Sequence, residues 1–164
     1  MTGDKEVIKR VKVVVLGNAE AGKSTLIKTL IPDSINIEYR GRTIALDFGV
    51  IEKNGVRFHI FGTPGQKRFE IVRDVISEGA DLFIYVFDPL IGISRYDSEV
   101  ISLLKEKKLK GFFFINLKNS SGEEMDAEKE LSTLLDPMNY RFVFGSAKDP
   151  EVKKNVLNEL LKLI

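Results

Sequence analysis

Residues 17–24 read Gly17-Asn18-Ala19-Glu20-Ala21-Gly22-Lys23-Ser24, a complete G-x-x-x-x-G-K-S. The apolar run Val11-Lys12-Val13-Val14-Val15-Leu16 enters it, and the helix-patterned Ser24-Thr25-Leu26-Ile27-Lys28-Thr29-Leu30 leaves it. Strand, glycine-rich turn and helix, in that order, are the context in which this spacing carries chemistry. Backbone N–H groups of such a turn and of the helix N-terminus converge on anionic oxygens, so the loop from Gly17 to Thr25 suits phosphate. Lys23 is placed to reach terminal phosphates, and the Ser24 hydroxyl to sit on a Mg²⁺ ion. With glycine near ~7% of ordinary sequence, the four fixed positions coincide by accident in under about one chain of this size in a hundred. The implied ligand is a nucleoside triphosphate or its diphosphate product.

The bulk numbers narrow the setting. At 164 residues the chain is expected to form one domain, 1–164, with a substantial core. Its 43% hydrophobic and 30% charged residues are ordinary for a soluble protein. A net charge of +1 points to no polyanionic partner, so no nucleic acid is expected. The lysines at 105, 107, 108 and 110 read as the usual positive bias at a helix C-terminus. The absence of cysteine excludes disulfides and thiolate metal sites and leads to the expectation of a cytoplasmic protein. Leu82 to Phe87, the longest wholly apolar run, is too short to span a bilayer, and neither Thr2 nor the Leu161–Ile164 end carries a lipid-anchor pattern. No membrane anchor is expected.

Strand and helix signals alternate along the chain, the signature of a doubly wound, mostly parallel α/β sheet. Strands are expected at 11–16, 43–53, 56–61, 82–87, 112–115 and 141–144. Helices are expected at 24–30, 68–79, 97–108, 123–135 and 151–163. Asn54-Gly55 between two apolar-rich runs is a strong hairpin signal and places one antiparallel edge strand on the sheet. The expectation is six strands and five flanking helices.

Two further segments lie in register with the phosphate loop. Gly62-Thr63-Pro64-Gly65-Gln66 follows the 56–61 strand, and Gly145-Ser146-Ala147-Lys148 follows the last strand. Together they resemble the Ras-like small GTPases, over nearly the whole chain. T-P-G-Q in place of the usual D-T-A-G-Q is most similar to the gliding-polarity (MglA-type) GTPases of bacteria and their archaeal relatives, which also carry a D-F segment on the second strand, here Asp47-Phe48. The resemblance implies GTP and GDP as ligands, with Mg²⁺. It implies that Thr43 closes on the metal and the γ-phosphate in switch I. In switch II, Gly65 would contact the γ-phosphate and Gln66 orient the attacking water. Ser146-Ala147-Lys148 would pack on the guanine, beside Asn116. Slow GTP hydrolysis, a GTPase-activating protein, an exchange factor and effectors on the switch regions complete the family picture.

The chain departs from that pattern twice. The family's metal-linked aspartate is replaced by Gly62. If Asn54-Gly55 is a two-residue turn without a bulge, Lys53 pairs with Val56 and Asp47 lies opposite Gly62 on the same face. Directly opposed Cβ positions are ~5 Å apart, so the Asp47 carboxylate reaches the volume the missing aspartate would fill. A single bulge would break that register and leave Asp47 facing water. The base-recognition pattern N-K-x-D is here Asn116-Leu117-Lys118-Asn119. An Asn at 119 offers one acceptor where a carboxylate takes two donors from guanine.

Arg42, immediately before Thr43, is a candidate arginine finger in cis, with Arg40 a second; solvated loop arginines are the plainer reading. His59 has no ligand partners in the sequence and reads as a surface or core-edge residue. The leading function is a GTP-hydrolysing switch. The alternative is a degenerate nucleotide-binding scaffold with little turnover or altered base specificity, which Gly62 and Asn119 favour and Thr43 and Gln66 oppose. An ATPase or small-molecule kinase is a third possibility, but a kinase lid and acceptor pocket have no obvious place in this arrangement.

Overall fold

The structure, a computed structural model, describes residues 9–18, 20–38, 45–63, 69–117, 129 and 140–164. Its elements run β1 (Lys9–Gly17), α1 (Lys23–Leu30), β2 (Ile35–Glu38), β3 (Ala45–Lys53), β4 (Val56–Gly62), α2 (Phe69–Ser77), β5 (Leu82–Phe87), α3 (Arg95–Lys107), β6 (Lys110–Asn116), β7 (Arg141–Gly145) and α4 (Val152–Lys162). They build one seven-stranded sheet in the order β2-β3-β4-β1-β5-β6-β7. β4, β1, β5, β6 and β7 are mutually parallel, whereas β3 runs antiparallel to both β4 and β2.

The doubly wound α/β class is as the sequence reads, but the strand count is corrected from six to seven. The additional strand is β2, and it, rather than β3, is the edge. Four residues, two of them polar, give too short an alternation to distinguish from the loop after α1. The helix expected at 123–135 lies outside the described residues. No helix among the described residues is long and apolar enough to cross a membrane.

The central strands are buried on both faces, which explains the unbroken apolar runs of β5 and β6. One core packs Val11, Val13, Val15 and Ile84 of the sheet against Leu26 and Ile27 of α1 and Val156 and Leu160 of α4. The other packs Val14, Leu16, Tyr85 and Phe113 against Val72 and Ile76 of α2 and Val100 and Leu104 of α3. Ser94 caps α3 by accepting from the Asp97 N–H, while the Asp97 carboxylate accepts from the Ser94 N–H, a reciprocal capping box.

The β3–β4 hairpin sets the register that matters for the site. Asn54 (φ 52°) and Gly55 (φ 79°) both adopt positive φ, the conformation a two-residue turn requires. Lys53 pairs with Val56, and the ladder continues without a bulge to Asp47 opposite Gly62.

Candidate functional site

The carboxyl ends of β1, β6 and β7 and the first turn of α1 converge on one cavity of about 420 Å³, lined by Gly22, Lys23, Ser24, Asn116, Ala147 and Lys148, with Glu20, Thr25 and Ser146 beside them. This is the crevice outside the strand ends where open α/β sheets bind ligands.

The loop that opens α1 is shaped by its own backbone. Ala21 N–H donates to the Asn18 carbonyl at 3.1 Å, and Glu20 N–H to the Asn18 side-chain oxygen at 3.3 Å. Gly22 then takes φ 108°, a conformation that favours glycine, and its carbonyl accepts the first helical bond from Leu26 at 2.9 Å. A Cβ at Gly22 would also run into the Asn116 side-chain amide. Among the described residues no side chain caps the helix N-terminus, so its first N–H groups face the cavity mouth available to an anion.

Lys23 is 4% exposed and donates to the Gly17 carbonyl at 2.6 Å. Burial pushes its pKa down to about 8, against the opposing pull of Asp97 and then Asp47. A buried ammonium with one carbonyl partner among the described residues is under-solvated, which is the state a phosphate oxygen relieves. Asn116, also buried, ties the loops together: it donates to the Ala21 carbonyl at 2.8 Å and accepts from the Ala147 N–H at 2.9 Å. Leu117 N–H donates to the Gly145 carbonyl at 2.9 Å, so β6 and β7 hold the two halves of the cavity's far wall in step. Leu117 itself packs on the α2–α3 core.

On the opposite side, Ser24 Oγ donates to Asp47 Oδ2 at 2.7 Å. Gly62, across the ladder, leaves the room: a Cβ there would lie 2.5 Å from Ile27 Cδ1, 3.2 Å from Asp47 Cβ and 3.5 Å from Asp47 Oδ2. Carboxylates at both positions would crowd one volume. Thr63, buried, fixes the chain just past β4 by donating to the Val15 carbonyl from both its N–H (3.1 Å) and its hydroxyl (3.0 Å). Ser24 and Asp47 offer only oxygen, the donor set a hard divalent cation takes. Among the described residues no cluster of three or more His, Cys, Asp or Glu forms a metal cage.

Of the residues singled out from sequence, Gly17, Asn18, Glu20, Ala21, Gly22, Lys23, Ser24, Thr25, Asp47, Asn116, Ser146, Ala147 and Lys148 are described, and the structure brings them to this end of the sheet. Ala19, Arg40, Arg42, Thr43, Gly65, Gln66 and Asn119 lie outside the described residues. Sequence reading missed Asp97, 1% exposed, which accepts from the Tyr85 hydroxyl and the Ser94 hydroxyl (2.9 Å) and whose charge supports the Lys23 cation. The Ser94-x-x-Asp97 spacing is the signal that could have found it, as the N3 half of a capping box, but nothing local marks it as buried.

The family model described as 50S ribosome-binding GTPase matches residues 12–118. An uncharacterized protein of Methanocaldococcus jannaschii is 38% identical over 154 residues, 94% of either chain. The Ras-related protein Rab-18 of Lymnaea stagnalis is 32% identical over 89 residues, 52% of this chain and 44% of that protein. Among solved structures, the bacterial selenocysteine-specific elongation factor EF-Sec superposes with a TM-score of 0.76 at 29% identity, over 96% of this chain and 29% of the other.

Proposed function

The chain belongs to the GTPase family of that model, GTP-binding domains of the Ras-like superfamily, and on this premise we propose that it is a Mg²⁺-dependent molecular switch that hydrolyses GTP slowly. The observation that carries the reading is the cavity in which buried Lys23 and the uncapped α1 N-terminus face the loop that Asn116 ties to Ala147. Phosphates bind at the first, the base against Ser146-Ala147-Lys148. Ser24, Thr43 and Asp47 would hold Mg²⁺, Asp47 in place of the aspartate that Gly62 replaces. Bound there, the ion would supply positive charge against that of the phosphates. Lys23 holds positive charge at the developing phosphate charge, Thr43 and Gly65 close on the γ-phosphate, and Gln66 positions the water. Without an arginine supplied by Arg42 or a partner, intrinsic turnover is on the order of 10⁻⁴ to 10⁻³ s⁻¹. A GTPase-activating protein, an exchange factor and effectors then act on the segments around Thr43 and Gln66.

A second reading, a nucleotide-binding scaffold with little turnover, is favoured by Gly62 and by Asn119 in place of the base-reading carboxylate. Single-turnover hydrolysis of γ-labelled GTP, with Gln66→Leu as control, decides. Turnover abolished by the substitution supports the switch; no turnover in either protein supports the scaffold. Calorimetric titration of nucleotide-stripped protein with GDP, ADP and XDP tests the base. Preference for guanine supports the assignment, and preference for xanthine or adenine overturns it.

A further inference from the structure

Asp47 is held by one of its two oxygens. Its Oδ2 accepts from Ser24 Oγ at 2.7 Å, and among the described residues Oδ1 has no hydrogen-bond partner. A carboxylate turns easily about its last torsion, and carboxylates that ligate a metal are as a rule hydrogen-bonded in turn. The sheet restricts where a second donor can stand. Asp47 lies on the face that α1 covers, in a row that runs Val15, Gly62, Asp47 and Asn36 across β1, β4, β3 and β2.

Four positions neighbour Asp47 on this face: Gly62 and Asn36 across the ladders, Ala45 and Gly49 along its own strand. Gly62, Ala45 and Gly49 have no side-chain donor. Asn36 has an NH₂ group, which among the described residues has no hydrogen-bond partner. Directly opposed Cβ positions are ~5 Å apart, a span that one N–H···O bond between an Asn and an Asp closes. Glu38, diagonal to Asp47, only accepts when ionised. The alternation of β2 keeps Asn36 in place: Ile35 and Ile37 pair with Phe48 and Leu46 on the opposite face, which turns Asn36 and Glu38 to the α1 side. The neutrality of Asn36 matters as well. A lysine or arginine there would compete with a metal ion for the carboxylate, whereas an amide orients it and leaves its charge for the cation.

We propose that Asn36 is a positioning residue for the metal site: its side-chain N–H donates to Asp47 Oδ1 while Ser24 holds Oδ2, which fixes the carboxylate toward the cation. Asn36 acts only through Asp47, so its role rests on the reading of Ser24 and Asp47 as the Mg²⁺ site. The edge strand β2 thereby joins that site through one side chain. Its pairing with β3 and the hold on the metal then support one another.

Mg²⁺ titrated into the GDP complex of the full chain tests this, with the midpoint read from GDP release rates and the Asn36 side-chain amide signals followed by NMR. Asn36→Ala is expected to raise the Mg²⁺ midpoint about tenfold, with metal-free GDP affinity unchanged. Added to Asp47→Ala it should change nothing further, because its partner is already gone. Asn36→Thr keeps a donor in a residue suited to strands and should recover part of the loss. In the wild type the amide signals should move as Mg²⁺ binds, and in Asp47→Ala they should stay. Ile35→Ser loosens the same strand from its other face and is expected to leave the midpoint at the wild-type value. An equal loss in Ile35→Ser would assign the effect to the strand and overturn the role of the side chain. So would a further loss when Asn36→Ala is added to Asp47→Ala. An unchanged midpoint in Asn36→Ala beside a clear loss in Asp47→Ala would sink the role of Asn36 alone. If Asp47→Ala leaves the midpoint unchanged, or wild-type GDP binding ignores Mg²⁺, the metal reading itself fails and takes Asn36 with it.

Discussion

Lys23 is the residue at which burial and function meet. Its pKa of about 8, lowered from 10.5, means that the free protein begins to lose the ammonium just above neutral pH. A bound phosphate stabilises the cation, so nucleotide binding near pH 8 takes up a proton. Affinity should hold steady below pH 8 and fall above it by up to about tenfold per unit. Calorimetry in two buffers of different ionisation enthalpy reads the proton directly. For the free protein the sign is opposite: the unfolded chain binds more protons between pH 8 and 10.5, so folding stability rises with pH across that window. Asp47 gives the second prediction. Asp47→Ala should weaken Mg²⁺ by about 10- to 100-fold, seen as loss of Mg²⁺-dependent tightening of GDP, with metal-free GDP binding little changed. Unchanged Mg²⁺ dependence would remove Asp47 from the metal. The meeting of Asp47 and Gly62 was legible because a two-residue turn fixes every pair along a ladder. The burial of Asp97 under Tyr85 was not, because a carboxylate in a helix's first turn looks the same in sequence whether it faces water or a neighbouring strand.

Among the elements, the β3–β4 hairpin and the start of α3 bear most on the site. Gly55 at φ 79° tolerates little else, so Gly55→Ala should cost about 1 kcal/mol in urea unfolding. A slip of one residue at this turn would rotate Asp47 to the other face, away from Ser24. The same variant should therefore weaken Mg²⁺ coupling only if the register moves, a change the cross-strand amide contacts report. Ser94→Ala should cost about 1 kcal/mol, because the Asp97 N–H loses its acceptor and the Asp97 carboxylate loses one of its donors. The long apolar runs that became β5 and β6 were legible because burial on both faces leaves no room for polar residues. β2 was not, because its pairing with β3 rather than its own pattern makes it a strand.

In the whole molecule the cavity draws on segments far apart in the chain, 20–25, 116 and 146–148, which meet only when β1, β6 and β7 lie in one sheet. Their local patterns showed what each segment is suited to hold. That Asn116 bonds both the phosphate loop and Ala147 is a property of the assembled fold. Because the site exists only in the folded state, its ligand and the fold are thermodynamically linked. Guanine nucleotide at a hundredfold excess over Kd should stabilise the stripped protein by about 2.7 kcal/mol. For a domain of this size that raises Tm by on the order of 5–10 °C in a thermal scan. Asn116→Ala should lower Tm even without nucleotide, by unpairing the Ala21 carbonyl and the Ala147 N–H in a buried place, and should also shrink the gain from GDP. If ADP produced the same rise as GDP, the loop at Ser146-Ala147-Lys148 would not be reading the base. If GDP produced none, the coupling of loop to sheet that Asn116 makes would be structural alone, and the switch would lose its footing in the fold.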